Sequence, residues 1–132
     1  MKETIILDTC CLFCYFQSEI GYEAVEELFL KARNKQITLV MSRVNYCEVL
    51  YQLKRDKDYK IFRVMVDSLP FNILDTNEKI CEIASDIKSK GKISLGDSFA
   101  IGTAVFLNGK VATTDRHEFS AFENDVDIMW IR

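Results

Sequence analysis

Short apolar runs alternate with longer segments of helical periodicity along the whole chain. Residues 4–7 (TIIL) form a β-branched run that predicts a buried strand. After Asp8-Thr9, residues 10–16 predict a helix. Residues 23–33 (EAVEELFLKAR) predict a second helix with its charges on one face. Residues 37–41 (ITLVM) predict a second strand, and Ser42 is placed to cap a helix that runs to about Leu53. Residues 56–69 predict another helix, closed by Pro70. A third strand follows at 71–74 (FNIL). Asp75 or Thr76 is the expected cap of a helix reaching about Lys88, which Gly91 breaks. Ser94 opens a long apolar helix to Leu107, ended by Asn108-Gly109. Residues 110–113 (KVAT) and 126–130 (VDIMW) are the last strands.

Strands that alternate with helices over the full length predict an α/β fold: βαβ units and a parallel sheet covered on both faces. No repeat, low-complexity tract or linker interrupts residues 1–132, which predicts a single domain. In such folds ligands bind beyond the carboxyl ends of the strands. Asp8 follows the first strand directly, and Asp115 follows the fourth after one residue. Both are expected on that rim.

Composition narrows the classes. At 132 residues, with 48% hydrophobic and 28% charged, the chain can bury a core and is not expected to be disordered. Asp8 interrupts the apolar N-terminal stretch and no small-residue cleavage site follows it, unlike a secretory signal. No uncharged run approaches the roughly 20 residues that span a bilayer. The expectation is a cytoplasmic protein without a membrane partner. The five cysteines are odd in number, with Cys10, Cys11 and Cys14 embedded in apolar sequence. They read as reduced thiols; zinc ligation by those three lacks a fourth ligand and a presenting turn. His117, the only histidine, reads as a surface residue and gives no support for a triad.

Net charge is −3, from 17 basic and 20 acidic residues, and alone it disfavours a basic nucleic-acid binder. Where the acids sit alters that reading. Asp8, Glu48 and Asp97 are each a lone charge in a segment otherwise fit for a core. An unpaired buried carboxylate carries a large desolvation cost. Each has an ordinary explanation: Asp8 as a helix cap, Asp97 in a capping box with Ser94, Glu48 on a solvated stripe with Asn45 and Gln52. Together with Asp115 they fit better as four acids brought to one rim by a parallel sheet. Carboxylates so gathered repel unless a cation intervenes, and oxygen ligands select hard cations such as Mg²⁺ or Mn²⁺. That is nuclease chemistry. Setting these four acids aside turns the −3 into +1, which permits a nucleic-acid partner. Candidate phosphate contacts are Lys54, Arg55, Lys57, Lys60 and Arg63 on one helix, Lys88, Lys90 and Lys92 before Asp97, and Arg43 and Arg116 beside the site segments. Tyr46, Tyr51, Phe62 and Met65 fit either core packing or a partner surface.

The ordered set resembles the PIN domain family, close to the toxin ribonucleases of VapBC-type toxin–antitoxin pairs. The matching pieces are the strand ending in Asp8-Thr9, NYCEVLYQL around Glu48, ISLGDSFAIGTA around Asp97, and VATTD ending in Asp115. The resemblance implies a three-layer α/β/α fold around a mostly parallel sheet. It implies an Mg²⁺- or Mn²⁺-dependent endoribonuclease that leaves 5′-phosphate and 3′-hydroxyl ends. Asp8, Asp97 and Asp115 would be the metal acids, Glu48 would complete the site and position water, and Thr9 and Thr113 match polar positions beside the acids. A homodimer and a cognate antitoxin that blocks the site are further implications. Cys10 departs from the family, which usually has a small polar residue there; a thiol is a poorer partner for a hard cation. Alternative readings are a PIN-domain ribonuclease of RNA processing without a toxin role, and a non-catalytic PIN interaction domain.

Overall fold

A computed structural model describes residues 2–132. Five strands form one sheet: β1 (Glu3–Leu7), β2 (Ile37–Ser42), β3 (Asn72–Leu74), β4 (Lys110–Thr113) and β5 (Asp127–Trp130). Their order is β3-β2-β1-β4-β5 and every pairing is parallel. The chain builds outward from β1 through β2 to β3, then returns to the other side of β1 for β4 and β5. The strand order therefore reverses between β1 and β4, and a crevice opens beyond their carboxyl ends.

Alternation along the strands fixes the layers. Ile5, Leu7, Leu39 and Met41 point to one face. There they pack under α1 (Thr9–Phe16), α2 (Tyr22–Arg33), α3 (Arg43–Leu53) and α4 (Tyr59–Asp67), through Leu12, Phe29, Val49 and Val66. Ile6, Val40 and Val111 point to the other face, under α5 (Glu78–Ser89) and α6 (Leu95–Phe106), with Ile87, Ala100, Ile101 and Ala104. This is the expected three-layer α/β/α arrangement. The small residues of α6 have a packing reason: a side chain at Gly102 would press on Ala84 and on the backbone of α5. No helix among the described residues is long and apolar enough to cross a membrane.

Three expectations need correction. The α5 cap is Asn77, whose side chain accepts from the Ile80 amide at 2.8 Å, and not Asp75 or Thr76. Residues 54–58 are not helical; the Asp56 side chain accepts from the Asp58 amide at 2.8 Å and turns the chain. Lys54, Arg55 and Lys57 thus lie in a connection, and only Lys60 and Arg63 ride on α4. A short helix, α7 (Arg116–Phe119), and a 3₁₀ turn over Ser120–Phe122 follow β4, where the sequence predicts only loop. Two turns are too short for an apolar period to show.

Candidate functional site

The crevice is a cleft of about 590 Å³, and Asp8, Glu48, Asp97 and Asp115 all line it. Each arrives from a different element end. Asp8 leaves β1 as the N-cap of α1 and its Oδ1 accepts from the Thr9 amide at 2.8 Å. Its Oδ2 accepts from the Thr113 hydroxyl and the Cys10 thiol, both at 2.9 Å. Asp97 stands in the first turn of α6, where the Ser94 hydroxyl caps its amide at 3.1 Å. Asp115 is the N-cap of α7; its amide donates to Thr113 Oγ1 and its own Oδ1 accepts from the Glu118 amide, both at 3.0 Å. Asp8 caps α1 as foreseen, whereas at α6 Ser94 does the capping and, among the described residues, the Asp97 carboxylate returns no hydrogen bond to the Ser94 amide; both acids converge on the cleft.

Glu48 is held from two sides. Its Oε1 accepts from Thr9 Oγ1 at 3.1 Å and from Asn45 Nδ2 at 2.9 Å. Asn45 is fully buried, and its amide nitrogen also donates to the Gly96 carbonyl at 3.1 Å. The polar stripe of Asn45, Glu48 and Gln52 is therefore solvated only at its Gln52 end: Asn45 is enclosed, and Glu48 is half-buried in the cleft that the exposed Gln52 also lines. Gly96 completes the junction, because any Cβ there would overlap the Glu48 carboxylate. One side chain thus ties α3 to the helix that carries Asp97.

The electrostatics are those of acids without counter-ions. Among the described residues, none of the four acids makes an ion pair. Burial pushes the Asp8 carboxyl well above the usual range, and the negative charges of Cys10 and Asp97 add to the shift. Asp97 is raised to about 7, first by burial, with Cys10, Glu118 and Asp115 adding and the Ser94 hydrogen bond opposing. Carboxylate oxygens of Asp97, Asp115 and Glu118 all lie within 4.8 Å of one another. An all-oxygen set of this kind fits a hard divalent cation, which would remove the repulsion that raises these groups. The Cys10 sulfur, beside Asp8 Oδ2 and 3.5 Å from Thr113 Oγ1, adds a soft atom at the edge of that set.

Glu118, Asn45 and Gly96 were missed from sequence. Glu118 had a signal: Asp115 and Glu118 have the D-x-x-E spacing of a capping box. Arg132, which also lines the cleft, had none; its Nη1 lies 3.4 Å from Glu19 Oε1 and 3.1 Å from the Ile20 carbonyl. The other cationic candidates lie outside the cleft lining. Arg43 pairs with Asp75 at 2.7 Å. Arg116 stacks 4.6 Å over the Trp130 ring and donates to the Arg132 carbonyl at 2.8 Å. Lys88 donates to the Ile93 carbonyl, Lys90 pairs with Asp125, and Lys92 is exposed. Thr9 and Thr113 sit beside the acids, as the resemblance implies. His117 is exposed on α7, and Cys47 and Cys81 are exposed rather than in the core.

An all-parallel sheet with an acidic cleft at its switch point defines a class of α/β protein, and comparison with known proteins narrows it. Residues 5–124 match the model of the PIN domain, and the chain belongs to that family. No curated protein sequence matches it. Several solved structures share the fold. The DNA-bound VapBC of Salmonella typhimurium superposes with a TM-score of 0.80 at 16% identity, over 100% of both chains. VapBC2 of Rickettsia felis, bound to a fragment of its promoter, gives 0.77 at 19% identity over 96% of this chain and 97% of that one. The sarcin-ricin loop cleaving toxin VapC20 of Mycobacterium tuberculosis gives 0.67 at 14% identity over 89% and 93%.

Proposed function

We propose that the chain is a divalent-metal-dependent endoribonuclease, using Mg²⁺ or Mn²⁺, and the toxin of a toxin–antitoxin pair. The observation that carries the nuclease reading is the convergence of Asp8, Glu48, Asp97 and Asp115, spread over more than 100 positions, on one cleft where none of them makes an ion pair among the described residues. The toxin role draws on fold neighbours solved as toxin–antitoxin complexes, among them the Salmonella and Rickettsia VapBC assemblies. On this reading a cognate antitoxin covers the cleft and a second copy of the chain completes a homodimer.

Asp97, Asp115 and Glu118, whose carboxylate oxygens converge, would hold the cation, together with Asp8 of the same cleft. When bound, the divalent cation would offset charge on the phosphodiester oxygens and ease ionisation of a water. Glu48 has one oxygen committed to Thr9 and Asn45, which leaves the other to orient the attacking water toward phosphorus. Thr113 holds Asp8 on one side and the Asp115 backbone on the other, so the two acids keep a fixed separation.

The test is RNA cleavage with Mg²⁺ or Mn²⁺ by the intact chain and by Asp8→Asn and Asp97→Asn variants. Each variant is expected to lose at least about a hundredfold in rate. Full activity in both would end the mechanism. The toxin role is read separately: growth arrest on expression, relieved by co-expression of a small neighbouring gene, is the expected result.

A further inference from the structure

The cleft is larger than a phosphodiester needs, and its far half is aromatic. Two helical stripes leave the acid end together. On α1 the stripe is Thr9, Phe13 and Phe16, at helical spacing; on α3 it is Glu48 followed one turn later by Gln52 and Leu53. Phe62 of α4 lines the same cleft, its inner side packed against the core. Phe13, Phe16 and Phe62 are all only half-buried, so each leaves ring surface open to the cleft. At about 1.5 Å rise per residue, Phe13 lies roughly one nucleotide's reach along α1 from Asp8. Gln52 on the opposite wall, largely exposed, can pair with a base edge. A small-molecule-sized volume, apolar walls and a few polar groups are what a planar ring requires.

We infer that this aromatic half of the cleft is a subsite for one unstacked nucleobase of single-stranded RNA, adjoining the scissile phosphate. The inference rests on the nuclease reading and adds to it. Unpaired bases are bound by stacking on aromatic side chains, which tolerates any base because every base has a π face. A base in a duplex could not reach Phe13 without leaving its stack, so the subsite selects single-stranded segments. Six carboxylates line the cleft against Arg132 alone, so affinity for RNA has to come from stacking and from the bound cation together.

The experiment uses the intact chain with Mn²⁺ and two synthetic RNAs. They are identical except that one carries an abasic ribose, moved in turn to each position flanking the cleaved bond. Removal of one base, on one side only, is expected to lower kcat/KM about five- to 150-fold. A Phe13→Leu/Phe16→Leu variant keeps apolar bulk against the core but loses the ring faces; it is expected to cut both RNAs equally slowly. A binding readout accompanies it: 2-aminopurine at the sensitive position is expected to lose fluorescence on binding the Asp97→Asn chain, and not when the two leucines are added. Cleavage of intact and abasic RNAs at equal rates at every position would overturn the subsite, leave the nuclease reading standing, and assign the aromatic half to a protein partner. Failure to cut any RNA with either metal would overturn the nuclease reading and the subsite with it.

Discussion

Asp97 carries the clearest conflict between stability and chemistry. Its folded-state pKa, about 7, lies above the 3.8 of the unfolded chain. Between these values the folded chain holds a proton that the unfolded chain has lost. Stability of the metal-free protein therefore falls as pH rises from about 4 to about 7, and the full penalty is present above 7. Asp97→Asn removes that penalty. The variant is expected to be more stable than the parent at pH 8, on the order of 2 kcal/mol once solvent screening is allowed for, and equal to it near pH 3.5. Thermal unfolding at the two pH values checks this; a variant less stable than the parent at pH 8 would mean the carboxylate is already satisfied within the fold. The isolation of Asp8, Glu48 and Asp97 in apolar sequence was enough to single them out. Glu118 escaped because Asp115, Arg116 and His117 directly precede it, so its only sequence signal was the D-x-x-E spacing and not isolation in apolar sequence.

At the scale of elements, the junction of α3 and α6 positions the site. Asn45 reaches from one helix to the Gly96 carbonyl of the other while holding Glu48, and Gly96 yields the space. In Gly96→Ala the methyl displaces the Glu48 carboxylate from Thr9 and Asn45. The expected outcome is a loss of about a hundredfold in cleavage, with little change in melting temperature because alanine favours the helix. Paired activity and unfolding measurements separate this from simple destabilisation, which would lower both. Long elements with a strong period were legible in sequence: β1, α2, β2, α3 and α6 begin and end close to their expected bounds. The errors fall where local hydrogen bonds override period, at the Asn77 cap and the Asp56 turn. They fall also where an element is shorter than one apolar repeat, as in α7. The contact between Asn45 and Gly96, 51 positions apart, is a product of packing that no local pattern encodes.

Over the whole molecule, the parallel sheet determines where chemistry sits. The order β3-β2-β1-β4-β5 makes β1 and β4 neighbours, so residues 8 and 115 face one crevice despite their separation. The alternation of strands and helices foretold that rim; the strand order that decides which ends adjoin was not in the pattern. The fold bears the repulsion of the gathered acids through the two apolar layers that flank the sheet. A cation that binds only the folded chain should return that cost. Mn²⁺ at a hundredfold excess over its dissociation constant is expected to stabilise the protein by about 2.7 kcal/mol, and Asp8→Asn/Asp97→Asn should abolish the shift. Stabilisation of equal size in that double variant would place the cation elsewhere.

The most direct measurement is anomalous diffraction at the manganese edge from crystals of the chain grown with Mn²⁺. The account predicts a peak in the cleft within coordination distance of carboxylate oxygens of Asp97 and Asp115, with Asp8 or Glu118 completing the set. Manganese bound only at sites remote from these residues, or a cleft without any peak at saturating Mn²⁺, would contradict it.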